Sequence, residues 1–250
     1  MGQLYVDTIE PQSGTSLTIG ESGQNTVLAG NDIRANVLQD AGGNAILTSN
    51  GSGTLSGVNS GFGSAMSLLN TTTISSAVGS VSFGSSLITS TYKTYIVTFH
   101  SVHFTTADSD FLMQGSIDNG SNYNVSTTTT TWRGWGKSDG ANPNVNGWQD
   151  QPAWDVNNST SYFVVAADCN PTSSAVNGRY ILFDPASTTY YKPFWADIVT
   201  TLNSGDNNVM WFRMGGHFQV ANSAINAISF KFDSPAANID AGIFKLWRIK

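Results

Sequence analysis

The chain has 250 residues, of which 11% are charged and 11% are aromatic, and its formal net charge is −6. Its 11 Lys and Arg residues are too few for the phosphate neutralisation that nucleic-acid binding requires, and its aromatic content excludes a chain that is disordered throughout. Abundant Thr, Val, Ile and aromatic residues, together with 25 Gly and little Glu, Lys or Gln, favour an all-β fold rich in turns.

We expect neither a secretory signal peptide nor a membrane span in this sequence. The first residues lack the basic start and apolar run of a secretory signal peptide. No apolar run approaches the ~18 residues of a membrane span. We therefore expect a protein that is made in a cytoplasm and does not insert into a membrane.

Residues 1–60 differ in composition from the rest of the chain. Short apolar clusters such as Leu4–Ile9 and Ile33–Leu38 recur between turns rich in Gly, Ser and Asn, and neither Phe nor Trp occurs before Phe62. Each cluster is too small to bury a core of its own, so we expect the segment to stack on itself, to wrap a partner or to pair with copies of itself. We predict an extended, turn-rich β-arm for attachment and oligomerisation, with a flexible linker as the alternative.

Residues 61–250 have the pattern of a second, strand-rich domain. Runs of β-branched and aromatic residues alternate with polar turns, and no helical period separates them. A series of strands without helices favours antiparallel pairing in a jelly-roll-like β-sandwich. The predicted strands are Thr71–Ile74, Val78–Phe83, Thr94–Phe104, Asp110–Ile117, Tyr162–Ala167, Arg179–Phe183, Phe194–Thr200, Val209–Met214, Ile225–Phe232 and Ile243–Ile249.

The clearest turn signal follows the fourth predicted strand. Residues 111–123 have the sequence FLMQGSIDNGSNY, in which Asp118, Asn119 and Gly120 tolerate positive φ angles. A turn of this kind beside an apolar run predicts a β-hairpin.

The closing residues 225–250 contain two strand-like runs separated by a polar loop, and we predict that these strands pair with each other. The second strand is apolar on both faces, with Phe244 and Leu246 on one of them. The other face needs a cover, which the opposing sheet, the N-terminal arm or a neighbouring subunit would provide. We predict the neighbouring subunit. The residues expected at that interface are Ile243, Trp247 and Ile249.

Residues 132–154 form the most distinctive candidate site. They hold four of the seven tryptophans among Gly, Asn, Asp and Pro, and they show no strand period. Tryptophans on a polar loop can stack on the apolar faces of sugar rings, which makes glycan binding one hypothesis. We favour the other interpretation, that the rings anchor a long loop or fill a subunit interface, because a loop of this length needs anchors to be ordered. The candidate ligand or interface residues are Trp132, Trp135, Trp148 and Trp154.

No sequence motif specifies a catalytic centre, a cofactor or a metal site. His100 and His103 are three residues apart on one predicted strand, which places them on opposite faces and prevents a shared metal ion. The lone Cys169 is predicted to be a buried thiol rather than a nucleophile. A glycoside hydrolase would need two carboxylates brought together in space. Its candidate residues are Asp139, Asp150, Asp155 and Asp168.

Several segments resemble structural proteins of tailed bacteriophages. The opening LYVDTIEPQSGTSLTIGESGQNT and the turn-rich VLQDAGGNAILTSNGSGTLSGVN are similar to the N-terminal arms of tail-fibre and virion-surface proteins. Tyr95–Val97, Phe111–Met113 and Ser116–Tyr123 resemble a strand pair and turn in the jelly-roll modules of such proteins. Ala241–Lys250 is similar to the terminal strand of that module.

The resemblance implies a virion protein without catalytic activity, most simply a homotrimer. Residues 1–60 would attach it to other virion proteins, and the sandwich would contact a host-surface glycan or protein as part of a tail fibre or adhesin. Two alternatives stay open. One is a capsid decoration or head-fibre protein that cements the shell, and the other is a glycan-binding module without an assembly role.

Overall fold

The structure, a computed structural model, describes residues 37–40, 42–52, 55–58, 65–136, 146–169, 171, 174–202, 208–234 and 236–249. The chain divides into two compact units, Met1–Gly63 and Ser64–Lys250. The described residues of the first unit form an antiparallel sheet of β1 (Val37–Gln39), β2 (Ala45–Ser49) and β3 (Leu55–Val58) in that order.

The second unit consists almost entirely of strands. Its strands are β4 (Met66–Ile74), β5 (Val81–Phe83), β6 (Thr94–Phe104), β7 (Ser109–Ser116), β8 (Thr127–Gly136), β9 (Asn146–Asp150), β10 (Phe163–Cys169), β11 (Val176–Phe183), β12 (Lys192–Leu202), β13 (Asn208–Phe218), β14 (Ala227–Phe232) and β15 (Ile239–Ile249). A single turn of 3₁₀ helix, Pro152–Trp154, follows β9. Within the described ranges, no helix has the length and apolar character that crossing a membrane requires.

These strands form two antiparallel sheets. One has four strands in the order β10-β7-β14-β5, and the other has eight in the order β4-β15-β6-β11-β12-β13-β8-β9. From β5 onward the chain changes sheet after most strands, as in a jelly roll, while the β12–β13 hairpin widens the larger sheet. The predicted all-β fold, with antiparallel sheets in a sandwich-like arrangement, is confirmed.

The core lies between the two sheets. Phe99 and Phe244 of the larger sheet meet Phe111 and Phe230 of the smaller one, with ring centroids 5.1–6.4 Å apart. All four side chains are at most 1% exposed. Because side chains alternate along a strand, burying one face of the larger sheet turns the other face outward.

Every strand predicted from the sequence is present, and β6 has the predicted bounds. Two pairing predictions are wrong. Strands β14 and β15 lie in different sheets, so the closing strands do not pair with each other. The turn after β7 has the expected positive φ angles, 62° at Asn119 and 85° at Gly120, but the next strand, β8, belongs to the opposite sheet. In a sandwich, consecutive strands often cross between sheets, and local turn chemistry does not reveal this.

Part of the predicted loop at residues 132–154 is in fact strand. Strands β8 and β9 pair antiparallel, with Trp132 opposite Asp150. Strand β8 opens with five consecutive threonines, Thr127–Thr131, which alternate between buried and more exposed positions. A run of identical residues has no alternation of apolar and polar positions, so the sequence pattern did not predict this strand.

The two histidines of β6 lie on one face of the sheet, contrary to the prediction. A β-bulge at Ser101, whose φ is 49°, shifts the pairing with β15 and restarts the alternation. His100 contacts Thr98 Oγ1 at 3.0 Å, whereas His103 Nδ1 lies 2.6 Å from Asp240 Oδ1. The bulge therefore gives each histidine its own partner on the outer face.

Candidate functional site

The outer face of the eight-stranded sheet carries a cluster of aromatic and charged side chains on β12 and β13. The inward residues of these strands are all at most 3% exposed, and they include Phe194, Ala196, Ile198, Met210, Phe212 and Met214. Strand alternation therefore turns Trp195, Asp197, Trp211 and Arg213 outward.

Four outward residues lie side by side across neighbouring strands. Arg179 of β11 is the Cα partner of Asp197, Asp197 pairs with Arg213, and Arg213 pairs with Trp132 of β8. A β-bulge at Gly178 immediately precedes Arg179 and sets its register. Adjacent strands are about 4.8 Å apart, so neighbouring side chains of this row lie within reach of one another.

Asp197 lies between two guanidinium groups. Its Oδ2 is 3.8 Å from Arg179 Nη2, its Oδ1 is 3.4 Å from Arg213 Nε, and Trp211 Nε1 donates a 2.7 Å hydrogen bond to Oδ1. The carboxylate side chain is 15% exposed, whereas each arginine side chain is 53% exposed. The anion therefore lies beneath its two cations, and positive charge faces the solvent.

Each of these arginines also lies over an indole ring. Arg179 Cζ is 5.0 Å from the ring centroid of Trp195, and Arg213 Cζ is 5.1 Å from that of Trp211. Such cation–π contacts contribute about 0.5–1 kcal/mol at exposed sites. Together with the contacts to Asp197, they join the two arginines and the two tryptophans into one cluster.

A groove with Gly215 at its floor separates Trp195 from Trp132. Gly215 pairs with Trp195 on one side and with Thr130 on the other. A Cβ added to Gly215 would meet no atom within 4 Å, so this glycine leaves open space in the face. The groove has a volume of about 480 Å³, and its lining includes Thr130, Trp132, Arg179, Trp195, Asp197 and Arg213.

A second recess adjoins the groove on the same face. It shares Arg179 and Asp197 with the groove and extends toward His100, Val199 and Trp211, with a volume of about 500 Å³. The Arg179–Asp197 pair therefore forms the ridge between two neighbouring depressions.

The predicted subunit-interface residues lie on this outer face as well, on β15. Ile243, Trp247 and Ile249 are each half-buried, while Phe244 and Leu246 are buried in the core, as expected. Trp247 Nε1 donates a 3.2 Å hydrogen bond to Thr98 Oγ1, which satisfies its one polar group. The structure contains a single chain, so the interface between subunits stays a prediction.

An apolar strip connects Trp247 to the groove. Each of its residues is the Cα partner of the next, and it crosses five neighbouring strands from β4 to β12. Its members are Leu68, Trp247, Ile96, Ile181 and Trp195. The groove and the predicted interface are thus parts of one continuous face.

The structure does not place the four predicted tryptophans in one loop. Trp132 is 43% exposed and lines the groove. Trp154 is half-buried, with its ring 5.5 Å from the buried Phe212, and anchors the segment after β9 to the sandwich. The backbones of Trp135 and Trp148 belong to β8 and β9, and their side chains lie outside the described residues.

Comparison with protein-family models, with curated proteins and with solved structures finds no match to this chain.

Cys169 and Asp168, two of the side chains considered for chemistry, lie in defined structural surroundings. Cys169 is fully buried at the end of β10, as predicted, and burial raises the pKa of its thiol. Asp168 lies 3.8 Å from Arg133 Nη1. Asp139 lies outside the described residues. Among the residues that the structure does describe, no group of three or more His, Cys, Asp or Glu side chains is placed to hold a metal ion.

His103 has partners on both of its ring nitrogens. Nδ1 lies 2.6 Å from Asp240 Oδ1, and Nε2 lies 2.8 Å from the Pro171 carbonyl oxygen. Partial burial disfavours the charged ring, but the hydrogen bonds to Asp240 and Pro171 outweigh it and raise the pKa of His103 above 6.5. Protonation lets both nitrogens donate, so this arrangement favours the imidazolium form.

Sequence reasoning missed Arg179, Trp195, Asp197, Arg213 and Gly215. The signal was present, because Trp and charged residues alternate with apolar residues along both β12 and β13. When every second residue of a strand is polar, that face of the strand usually just contacts solvent. Only the pairing register between strands shows that these side chains lie close together.

Proposed function

We propose that this chain is a non-enzymatic structural protein of a tailed-bacteriophage particle. Residues 1–60 attach it to other virion proteins, the assembled form is a homotrimer, and the sandwich contacts the host surface as part of a tail fibre or adhesin. The resemblance of both chain ends to such proteins motivates the proposal. The structural observation that carries it is the ordered Arg–Asp–Trp cluster on the outer face of the large sheet.

This cluster supports recognition because of its composition and its order. Tryptophan and arginine dominate the energetic centres of protein interfaces, since both offer large rigid contact areas and directed hydrogen bonds. Here Asp197 and the stacked rings fix the two arginines in advance. A preorganised face loses less side-chain entropy when it binds a partner.

The first unit supports attachment and association. Among the described residues of this unit, β1 and β3 are the outer strands of the small sheet, and exposed apolar side chains lie on both, at Val37, Leu38 and Leu55. Exposed apolar edge strands are suited to pairing with strands of another chain. This agrees with an arm that joins copies of itself or another virion protein.

Electron microscopy of phage particles labelled with a gold-conjugated antibody against the purified chain tests this function. We expect label at the tail. Particles without label would overturn the assignment to the virion. Label spread over the capsid shell would replace the tail-fibre role with that of a decoration or head-fibre protein.

Removal of residues 1–60 tests the attachment role separately. We expect the shortened chain to show the same far-ultraviolet circular dichroism signature of β-sheet and to be missing from particles assembled in its presence. Normal incorporation of the shortened chain would show that attachment uses another part of the molecule.

A further inference from the structure

We propose that the groove over Gly215 binds an acidic saccharide, with the sugar ring between Trp195 and Trp132 and its carboxylate at Arg179 and Arg213. This inference rests on the proposed role of the outer face in recognition and adds the chemical class of the ligand. It is carried by the shape of the groove, by its two indole walls and by the arrangement of charge at one end.

The indole walls suit a sugar ring. Trp195 and Trp132 are two strands apart, and Trp132 is also displaced by two residues along β8, so their Cα atoms are about 12 Å apart. Trp132 is 43% exposed and Trp195 is half-buried, so parts of both rings remain accessible. Indole rings pack well against the C–H faces of pyranose rings.

The floor of the groove leaves room for the ring to enter. Gly215 has nothing within 4 Å of a Cβ position, whereas a side chain there would fill the space between the two walls. Thr130, also a lining residue, brings a hydroxyl group that can exchange hydrogen bonds with a sugar. The groove therefore offers apolar walls and a hydroxyl group beside its floor.

The charge arrangement distinguishes an acidic sugar from a neutral one. Arg179 and Arg213 are each 53% exposed, while the Asp197 carboxylate between them is 15% exposed. Lys245 extends the same row, because it pairs with Thr98 and Thr98 pairs with Arg179. Guanidinium groups bind carboxylates through paired, charge-assisted hydrogen bonds.

This local positive charge stands out from the rest of the chain, whose net charge is −6. Single-stranded nucleic acid also combines rings with negative charge, but its many phosphates require a longer track of Lys and Arg. The groove offers its positive charge at one end only. That geometry fits a ligand with a discrete acidic group on a sugar ring.

Binding of the purified full chain to a printed array tests the proposal. The array carries oligogalacturonate, oligoalginate and sialyllactose, each beside its methyl ester, together with a neutral oligosaccharide and a single-stranded oligonucleotide. Esterification keeps the ring and removes the charge. We expect at least one acid form to bind roughly tenfold or more tightly than its ester, as expected from loss of a charge-assisted hydrogen bond.

Variants then locate the binding site. Gly215→Leu fills the groove at a position free of backbone conflict, and Trp195→Ala removes one wall. Both should weaken binding by about tenfold or more. Tyr191→Ala is the matched control, because Tyr191 is a 51% exposed aromatic residue outside the groove lining, and it should bind like the wild type. Thermal melting curves confirm that each variant is folded.

Equal binding of acid and ester, binding of the oligonucleotide alone, or an array without signal would each overturn the acidic-saccharide proposal. Binding that Gly215→Leu leaves unchanged would place the ligand elsewhere and overturn it too. None of these results bears on whether the chain is present in phage particles, which antibody labelling measures. The two proposals therefore fail separately.

Discussion

Replacement of Gly178 by alanine tests the β-bulge that places Arg179 opposite Asp197. Gly178 has a φ of 146°, a region that residues with a side chain rarely adopt. A Cβ there would lie 2.1 Å from the Asp197 carbonyl oxygen and 2.9 Å from Ile198 Cα. Both contacts are with backbone atoms of a central strand, which cannot move without disturbing the β11–β12 pairing.

The expected loss of stability follows from these two effects. An unfavourable backbone conformation costs about 1–3 kcal/mol, and a side chain forced into occupied space costs about 1–3 kcal/mol more. The free energy of unfolding should therefore fall by about 4 kcal/mol. For a domain of this size, that corresponds to a decrease in Tm of about 8–16 °C.

Gly215→Ala provides the matched control on the neighbouring part of the same face. No atom lies within 4 Å of the added Cβ, and the backbone there has no left-handed φ. Alanine restricts the unfolded chain more than glycine does, so the variant should be as stable as the wild type or up to about 1 kcal/mol more stable.

Urea unfolding followed by tryptophan fluorescence measures both variants. If the free energy of unfolding depends on urea concentration with the same slope in both variants but the midpoint concentrations differ, stability alone has changed. If Gly178→Ala stayed within about 1 kcal/mol of Gly215→Ala, the bulge would be absent, and the placement of Arg179 beside Asp197 would be wrong.

Three further predictions concern the core, the thiol and pH. Phe230→Ala removes a buried ring that contacts four aromatic neighbours, and it should lower the free energy of unfolding by about 3–5 kcal/mol. The same urea titration measures this loss, with Phe230→Leu as the conservative control. A loss below about 1 kcal/mol would contradict the packing of Phe230 in the core. Cys169 should resist a thiol-specific chromogenic reagent in the native state and react in denaturant, whereas rapid native labelling would show that it is exposed. The pKa of His103 is raised in the folded state, so the charged ring should contribute its full stabilisation below the unfolded pKa of about 6.5. That contribution should decrease as the pH rises through the folded pKa. The wild type should therefore lose more stability than Asp240→Asn between about pH 6 and pH 8, and identical pH profiles would contradict this.

The sequence predicted the strands better than their partners. Alternating apolar residues and flanking turns located β6 with its observed bounds and gave the inward positions of Phe244 and Leu246 on β15. These features depend on local chemistry. Which sheet receives β14 or β15 depends on long-range packing, and adjacency in the chain misled the pairing prediction.

The candidate site was harder to predict for the same reason. Arg179 and Asp197 are 18 positions apart in sequence numbering, and they meet only because β11 and β12 pair in one particular register. The bulges at Ser101 and Gly178 change which residues face outward, and a non-glycine bulge such as Ser101 has no clear sequence signal. The sequence analysis identified Trp132 because a tryptophan in a polar segment is conspicuous. It did not identify the residues that lie beside Trp132 in the structure.

We propose that the groove-bearing face of the large sheet is the surface through which the protein recognises its host. The most direct test is the amount of fluorescently labelled full chain retained on host cells, compared between the wild type, Gly215→Leu and Tyr191→Ala. We predict retention of the wild type and of Tyr191→Ala, and loss of Gly215→Leu to the background level. Retention of folded Gly215→Leu equal to that of the wild type would contradict the claim.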